Sequence, residues 1–145
     1  MAYRRILCAV DFSDHSNTAF YRAIEVAEKF SASLMLLHAV EVHPLSSWTT
    51  PEGLSDLTLE IEAKAREAMS SLVEPVAGRL DALNVRTEIT SGPASTEILE
   101  NARVWKADLI VLGARGVGAL EDVPLGSTVD RVVSGAECSV LVVKA

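Results

Sequence analysis

Hydrophobic and polar positions alternate along the chain in two distinct rhythms. Ile6-Leu7-Cys8-Ala9-Val10 is a short, unbroken apolar run closed by Asp11, as expected for a strand covered on both faces. From Ser16 to Phe30 the apolar residues Ala19, Phe20, Ala23, Ile24, Ala27 and Phe30 return at helical spacing, with Ser13 or Asp14 placed to cap the helix. Leu34 to Val40 is a second apolar strand. The following Pro44, Ser46, Ser47, Thr49, Thr50, Pro51 and Gly53 read as a long loop. Leu57, Ile61, Ala65, Ala68, Leu72, Val76 and Leu80 step by three or four and predict a long helix, which Pro75 should kink or divide because it lacks an amide proton.

The alternation continues with a strand over Val85 to Thr90, a helix over Pro93 to Val104 and a buried strand over Asp108 to Leu112. A glycine-rich loop follows, then a helix from Ser127 to Ser134 and a last strand from Ser139 to Val143. Five strands alternating with helical segments predict an α/β fold, a doubly wound parallel sheet with helices on both faces and right-handed crossovers. At 145 residues the chain is read as one domain, 1–145.

Composition narrows the function. Apolar residues are 49% and charged residues 23% of the chain, an ordinary globular balance. A net charge of −7 disfavours nucleic acid and anionic membrane as partners. No apolar run approaches the roughly 20 residues that span a bilayer, and the opening Met-Ala-Tyr-Arg-Arg does not look like a signal peptide. The expected location is cytoplasmic. Cys8 and Cys138 lie in apolar segments and read as buried reduced thiols, and no CxxC motif is present.

Open sheets of this kind bind ligands beyond the carboxyl ends of their strands. Asp11, Val40 and Gly113 end the first, second and fourth strands. After the fourth the chain reads Gly113-Ala114-Arg115-Gly116, nine residues, then Gly126-Ser127-Thr128 at a helix start. Glycine lets consecutive amides approach an anion closely, while a helix start adds exposed amides, a favourable dipole and here two hydroxyls. Phosphate binding is the natural use. The plainer reading is a turn shaped by its glycines. Asp11 is either a helix cap or a ligand contact, and Arg115 either a surface charge or a phosphate or ribose contact.

Other residues carry less. Glu121 and Asp122 read as a solvated loop tip, with the alternative that one holds a phosphate-bound Mg²⁺ through water. His38 reads as a hydrogen-bonded core or rim histidine, without metal-ligand spacing to His15 or His43. Trp48 is placed to cover a ligand, and Trp105 to pack. The Walker A sequence and GxSxG are absent, and Gly116-Val117-Gly118 does not complete GxGxxG because position 121 is Glu. Efficient kinase, hydrolase or dehydrogenase chemistry is therefore not indicated.

The Gly-x-x-Gly, nine-residue, Gly-Ser signature resembles that of the ATP-binding branch of the universal stress protein family. So do Ile6 to Ser13, Leu37-His38-Ala39-Val40, Gly92-Pro93 and Val140 to Val143. The resemblance implies a five-stranded sheet of order 3-2-1-4-5, adenine nucleotide alpha hydrolase-like, and a nucleotide-dependent sensor or switch in stress response. The implied ligand is ATP, with or without Mg²⁺ held through its phosphates. Asp11 and the backbone near Val40 would lie by adenine and ribose; Gly113, Arg115 and Gly116 near sugar and phosphates; Gly126, Ser127 and Thr128 on the phosphates. Homodimers paired through the C-terminal strand are also implied. Glu137-Cys138-Ser139 departs from the prolines that flank this cysteine in many relatives, which bears on the edge strand. Two other readings stay open: a nucleotide-free dimeric interaction module, and a slow ATPase.

Overall fold

The computed structural model describes residues 2–41, 50–118 and 124–145. In chain order the elements are β1 (Arg5–Ala9), α1 (Asp14–Phe30), β2 (Ser33–Val40), α2 (Pro51–Val73), a 3₁₀ turn (Glu74–Val76), α3 (Ala77–Leu80), β3 (Val85–Ser91), α4 (Ala94–Trp105), β4 (Leu109–Gly113), α5 (Ser127–Gly135) and β5 (Ser139–Val143). The strands form one sheet of order β3-β2-β1-β4-β5. Every pairing is parallel, with Leu7 level with Met35 on one side and Ile110 on the other.

Side-chain alternation along the strands divides the core between the two faces. Ile6, Cys8, Leu34 and Leu36 pack with Phe20 and Ile24 of α1 and Met69 of α2. Leu7, Leu37, Ile110 and Leu112 pack with Ile98 of α4 and Val132 of α5. This explains why β1 reads as a continuous apolar run: it is central, and both of its faces are covered.

The helices begin and end where local chemistry directs. Ser13 caps α1 by accepting from the Ser16 amide, and Ser31 closes it in the left-handed region at φ 53°. Helix α2 starts at Pro51, earlier than hydrophobic spacing suggests, so Pro51 and Gly53 belong to the helix and not to the loop. Thr50 caps the Gly53 amide, and a proline in the first turn has its φ already set. Its outward-facing first turns bury nothing: within α2 only Ala65 and Met69 are buried, so periodicity had little to register. Pro75 divides the long helix as expected, sitting inside the 3₁₀ turn. The loop stretch 42–49, with His43 and Trp48, lies outside the described residues. Among the described residues, no helix is long and apolar enough to cross a membrane.

The two cysteines differ. Cys8 is fully buried in β1, and burial pushes its thiol well above the ordinary range. Cys138 is only half-buried, because it precedes an edge strand; burial first, and then the charge of Asp108, raise its thiol as well. A thiol held neutral in the fold but free to ionise in the unfolded chain stabilises the native state below the unfolded pKa. That contribution is lost as pH climbs above about 8.5. Wild type is therefore expected to lose about 1.2 kcal/mol more than a Cys8→Ala variant between pH 9 and 10. Urea midpoints for both proteins at each pH check this, and parallel curves would show that Cys8 does not carry the dependence.

Candidate functional site

The carboxyl ends of β1, β2 and β4 meet at one edge of the sheet, where chain direction around β1 sends α1 to one face and α4 and α5 to the other. A cavity of about 680 Å³ opens there. Its apolar wall includes Ala9, Leu37, Ala39, Ile98, Leu112 and Val129, and among the described residues its charged lining is Asp11, Glu41 and Arg115.

Asp11 occupies the turn from β1 into α1. Its amide donates to Ser16 Oγ at 2.9 Å, and its Oδ1 accepts from the Ser13 amide at 3.0 Å and from the Ser13 hydroxyl. Oδ2 reaches across to the glycine loop and accepts from the Val117 amide at 3.0 Å. Asp11 is thus not the helix cap. It braces the residue that is, while its other oxygen ties the β1 turn to the loop after β4. Phe12 takes φ 67°, a costly conformation for an aromatic residue, and lays its ring 4.6 Å from that of His38. His38 Nδ1 lies 2.7 Å from the Val10 carbonyl, which can only accept, so that nitrogen carries the proton. His38 is the hydrogen-bonded rim histidine expected from the sequence.

The loop glycines serve different ends. A β-carbon on Gly113 would stand 2.6 Å from the His15 carbonyl carbon and 2.7 Å from the Ser16 nitrogen, so its small size lets α1 pack on β4. On Gly116 a β-carbon would lie 2.5 Å from Asp11 Oδ2. Gly118 takes φ 74° in open space. Gly126 would meet only ordinary contacts, at 3.7 Å, and its amide donates to the Ala114 carbonyl at 2.8 Å, which fixes the point where α5 begins. The first intrahelical bond of α5 runs from the Asp130 amide to the Gly126 carbonyl, and no side chain caps this start. Among the described residues, nothing accepts from the amides of Ser127 and Thr128, which both line the cavity.

All eight sequence-predicted positions therefore border one cavity: Asp11, Val40, Gly113, Arg115, Gly116, Gly126, Ser127 and Thr128. The Val40 carbonyl is engaged by the Gly92 amide at 2.9 Å, which holds the start of α4 against the end of β2. Glu121 and Asp122 lie outside the described residues. Sequence reading offered Ser13 as a helix cap but missed its bond to Asp11, and it missed Ser16, the Val117 amide and Glu41. The Asp-Phe-Ser order after β1 held a signal for the first, since a serine two residues past an aspartate can both cap and bond it. Trp105 packs against the core on the α4 side, as expected.

Fold and cavity together define a doubly wound α/β protein with a ligand crevice at its topological switch point, one wall of which is a glycine loop leading to an uncapped helix start. The profile of the Universal stress protein family matches residues 2–144, and the chain belongs to that family. A universal stress protein of Methanocaldococcus jannaschii is 35% identical, covering 98% of this chain and 82% of its own length. One from Thermus aquaticus is 37% identical over 98% and 99% of the two chains. Among solved structures, the universal stress protein UspA of Lactobacillus plantarum superposes with a TM-score of 0.85 at 33% identity, covering 99% of both chains. A universal stress protein solved in complex with cAMP shares the fold, with a TM-score of 0.68 at 22% identity over 99% and 98% of the chains.

Proposed function

We propose that this chain binds ATP in the cavity and acts as a nucleotide-dependent regulatory protein of the stress response in the cytoplasm, residues 1–145 forming one nucleotide-binding domain. The observation that carries the reading is the arrangement at the loop: the Asp11 carboxylate holds the Val117 amide, while Ser127 and Thr128 line the cavity at a helix start without a side-chain cap. A carboxylate beside a polyphosphate is repelled by it and suits ribose hydroxyls, whereas a helix start without a capping side chain suits phosphate. On this reading adenine and ribose lie toward Asp11 and the backbone of Val40, Gly116 lies where sugar meets phosphate, and the phosphates, with any Mg²⁺ they carry, lie toward Gly126, Ser127 and Thr128. Arg115 supplies positive charge at the phosphate end. Gly113 borders the same cavity while its small size also lets α1 pack on β4. Without a P-loop lysine, turnover is slow or absent. The related structure with cAMP is in keeping with an adenine nucleotide ligand.

Calorimetric titration of the purified, nucleotide-stripped protein with ATP, with and without Mg²⁺, tests this. One saturable site per chain is expected, and absence of heat and of co-purified nucleotide would remove the reading. A second reading, a nucleotide-free dimer, draws on the edge of the sheet. Among the described residues the outer edge of β5 has no neighbouring strand, and Leu141 of that strand is 37% exposed. We extend the proposal to a homodimer paired through β5, which is compatible with either reading and is measured by sedimentation.

A further inference from the structure

Two helix starts face the cavity, and the chain treats them differently. Ala94, the first residue of α4, lines the cavity, and its amide donates to Glu41 Oε1 at 2.7 Å. Pro93 precedes it without a side-chain cap, so this long-range bond from the end of β2 supplies the capping. Glu97 in the first turn of α4 adds a second carboxylate at that end. The start of α5 has no such side-chain cap, and a β-carbon on Gly126 there would lie 3.7 Å from the Arg115 Cα. Among the described lining residues Arg115 is the one cation, and Glu41 and Asp11 are the anions.

Helix starts attract anions because their first amides lack partners and the helix dipole points its positive end outward. A cavity with two open starts could take a phosphate chain in either direction. Glu41 removes one choice by covering the amide at α4 with the chain's own carboxylate and by placing negative charge there. We infer that Glu41 is a specificity-determining residue that sets ligand polarity, barring phosphate from the α4 end and leaving that end to the uncharged, hydrogen-donating part of the ligand. The identity of that ligand as an adenine nucleotide rests on the proposed function; the exclusion of phosphate at α4 does not.

Inorganic tripolyphosphate is the probe, titrated calorimetrically into wild type, Glu41→Ala and Glu41→Gln at low salt. Wild type is expected to bind one tripolyphosphate per chain and Glu41→Ala two, of which ATP displaces one. Glu41→Gln keeps a carbonyl oxygen for the Ala94 amide but loses the charge. It should remain at one per chain with affinity raised roughly three- to tenfold, a gain that fades at about 1 M salt where the screening length is near 3 Å. A folded Glu41→Ala variant with wild-type stoichiometry overturns the inference and leaves the proposed function standing. Wild type binding none while Glu41→Ala binds one upholds the inference and removes the phosphate assignment at α5. Should Glu41→Ala fail to fold, the Gln variant decides, and unchanged affinity there overturns the inference.

Discussion

Replacing Gly113 with valine is expected to lower the unfolding free energy by about 3 kcal/mol, measured as a lower urea midpoint with an unchanged slope. The new β-carbon would sit 2.6 Å and 2.7 Å from backbone atoms of His15 and Ser16, and backbone at the capped start of a helix cannot rotate aside as a long side chain can. Either α1 lifts from β4 or β4 bends, and both movements disturb the center of the sheet, where Leu112 is almost fully buried. Gly126→Ala is the control. Its β-carbon would meet nothing closer than 3.7 Å and its φ of −72° suits any residue, so about 0.5 kcal/mol is expected from the poorer helix start. Equal costs for the two variants would mean that the contact with α1 is not what requires glycine at position 113.

That contrast shows how far the sequence could be read. The spacing of Gly113, Gly116 and Gly126 was visible, and so was the crevice they border, because strand ends and turn residues leave strong local signals. What each glycine is for was not visible. The demand at Gly113 comes from α1, about a hundred residues earlier in the chain, and the demand at Gly116 from the Asp11 carboxylate; neither leaves a mark in the loop itself. Glu41 was passed over for the same reason, since its partner amide lies 53 residues away at Ala94. The sheet order was recognizable through family resemblance, whereas the five strands followed from periodicity alone. The start of α2 went unread because its first turns bury no apolar residue, and there the cap at Thr50 and Pro51 was the better signal.

Gly116→Val should leave the sheet folded but lower ATP affinity by roughly a hundredfold or more, equivalent to about 2.7 kcal/mol of binding energy. Gly116 is exposed, so the fold has little to lose. The site has much more at stake. The added β-carbon would lie 2.5 Å from Asp11 Oδ2, and the carboxylate must swing away. The Val117 amide then loses its acceptor, the loop loses its tie to the β1 turn, and the bracing of Ser13 at the start of α1 is disturbed in the same movement. Valine's two methyl groups also enter the space between Asp11 and the open amides of α5 that the proposed ligand must cross. Gly118→Ala separates this from a general loss of loop flexibility. Gly118 has open space around it but takes φ 74°, so alanine there costs about 1 kcal/mol of backbone strain without touching Asp11, and ATP affinity should fall less than threefold. Calorimetry on both variants, with circular dichroism to confirm folding, distinguishes the cases. If folded Gly116→Val binds ATP as wild type does, the Asp11 tie to the loop is not part of the nucleotide site; if both variants lose binding alike, loop conformation matters more than the carboxylate it meets.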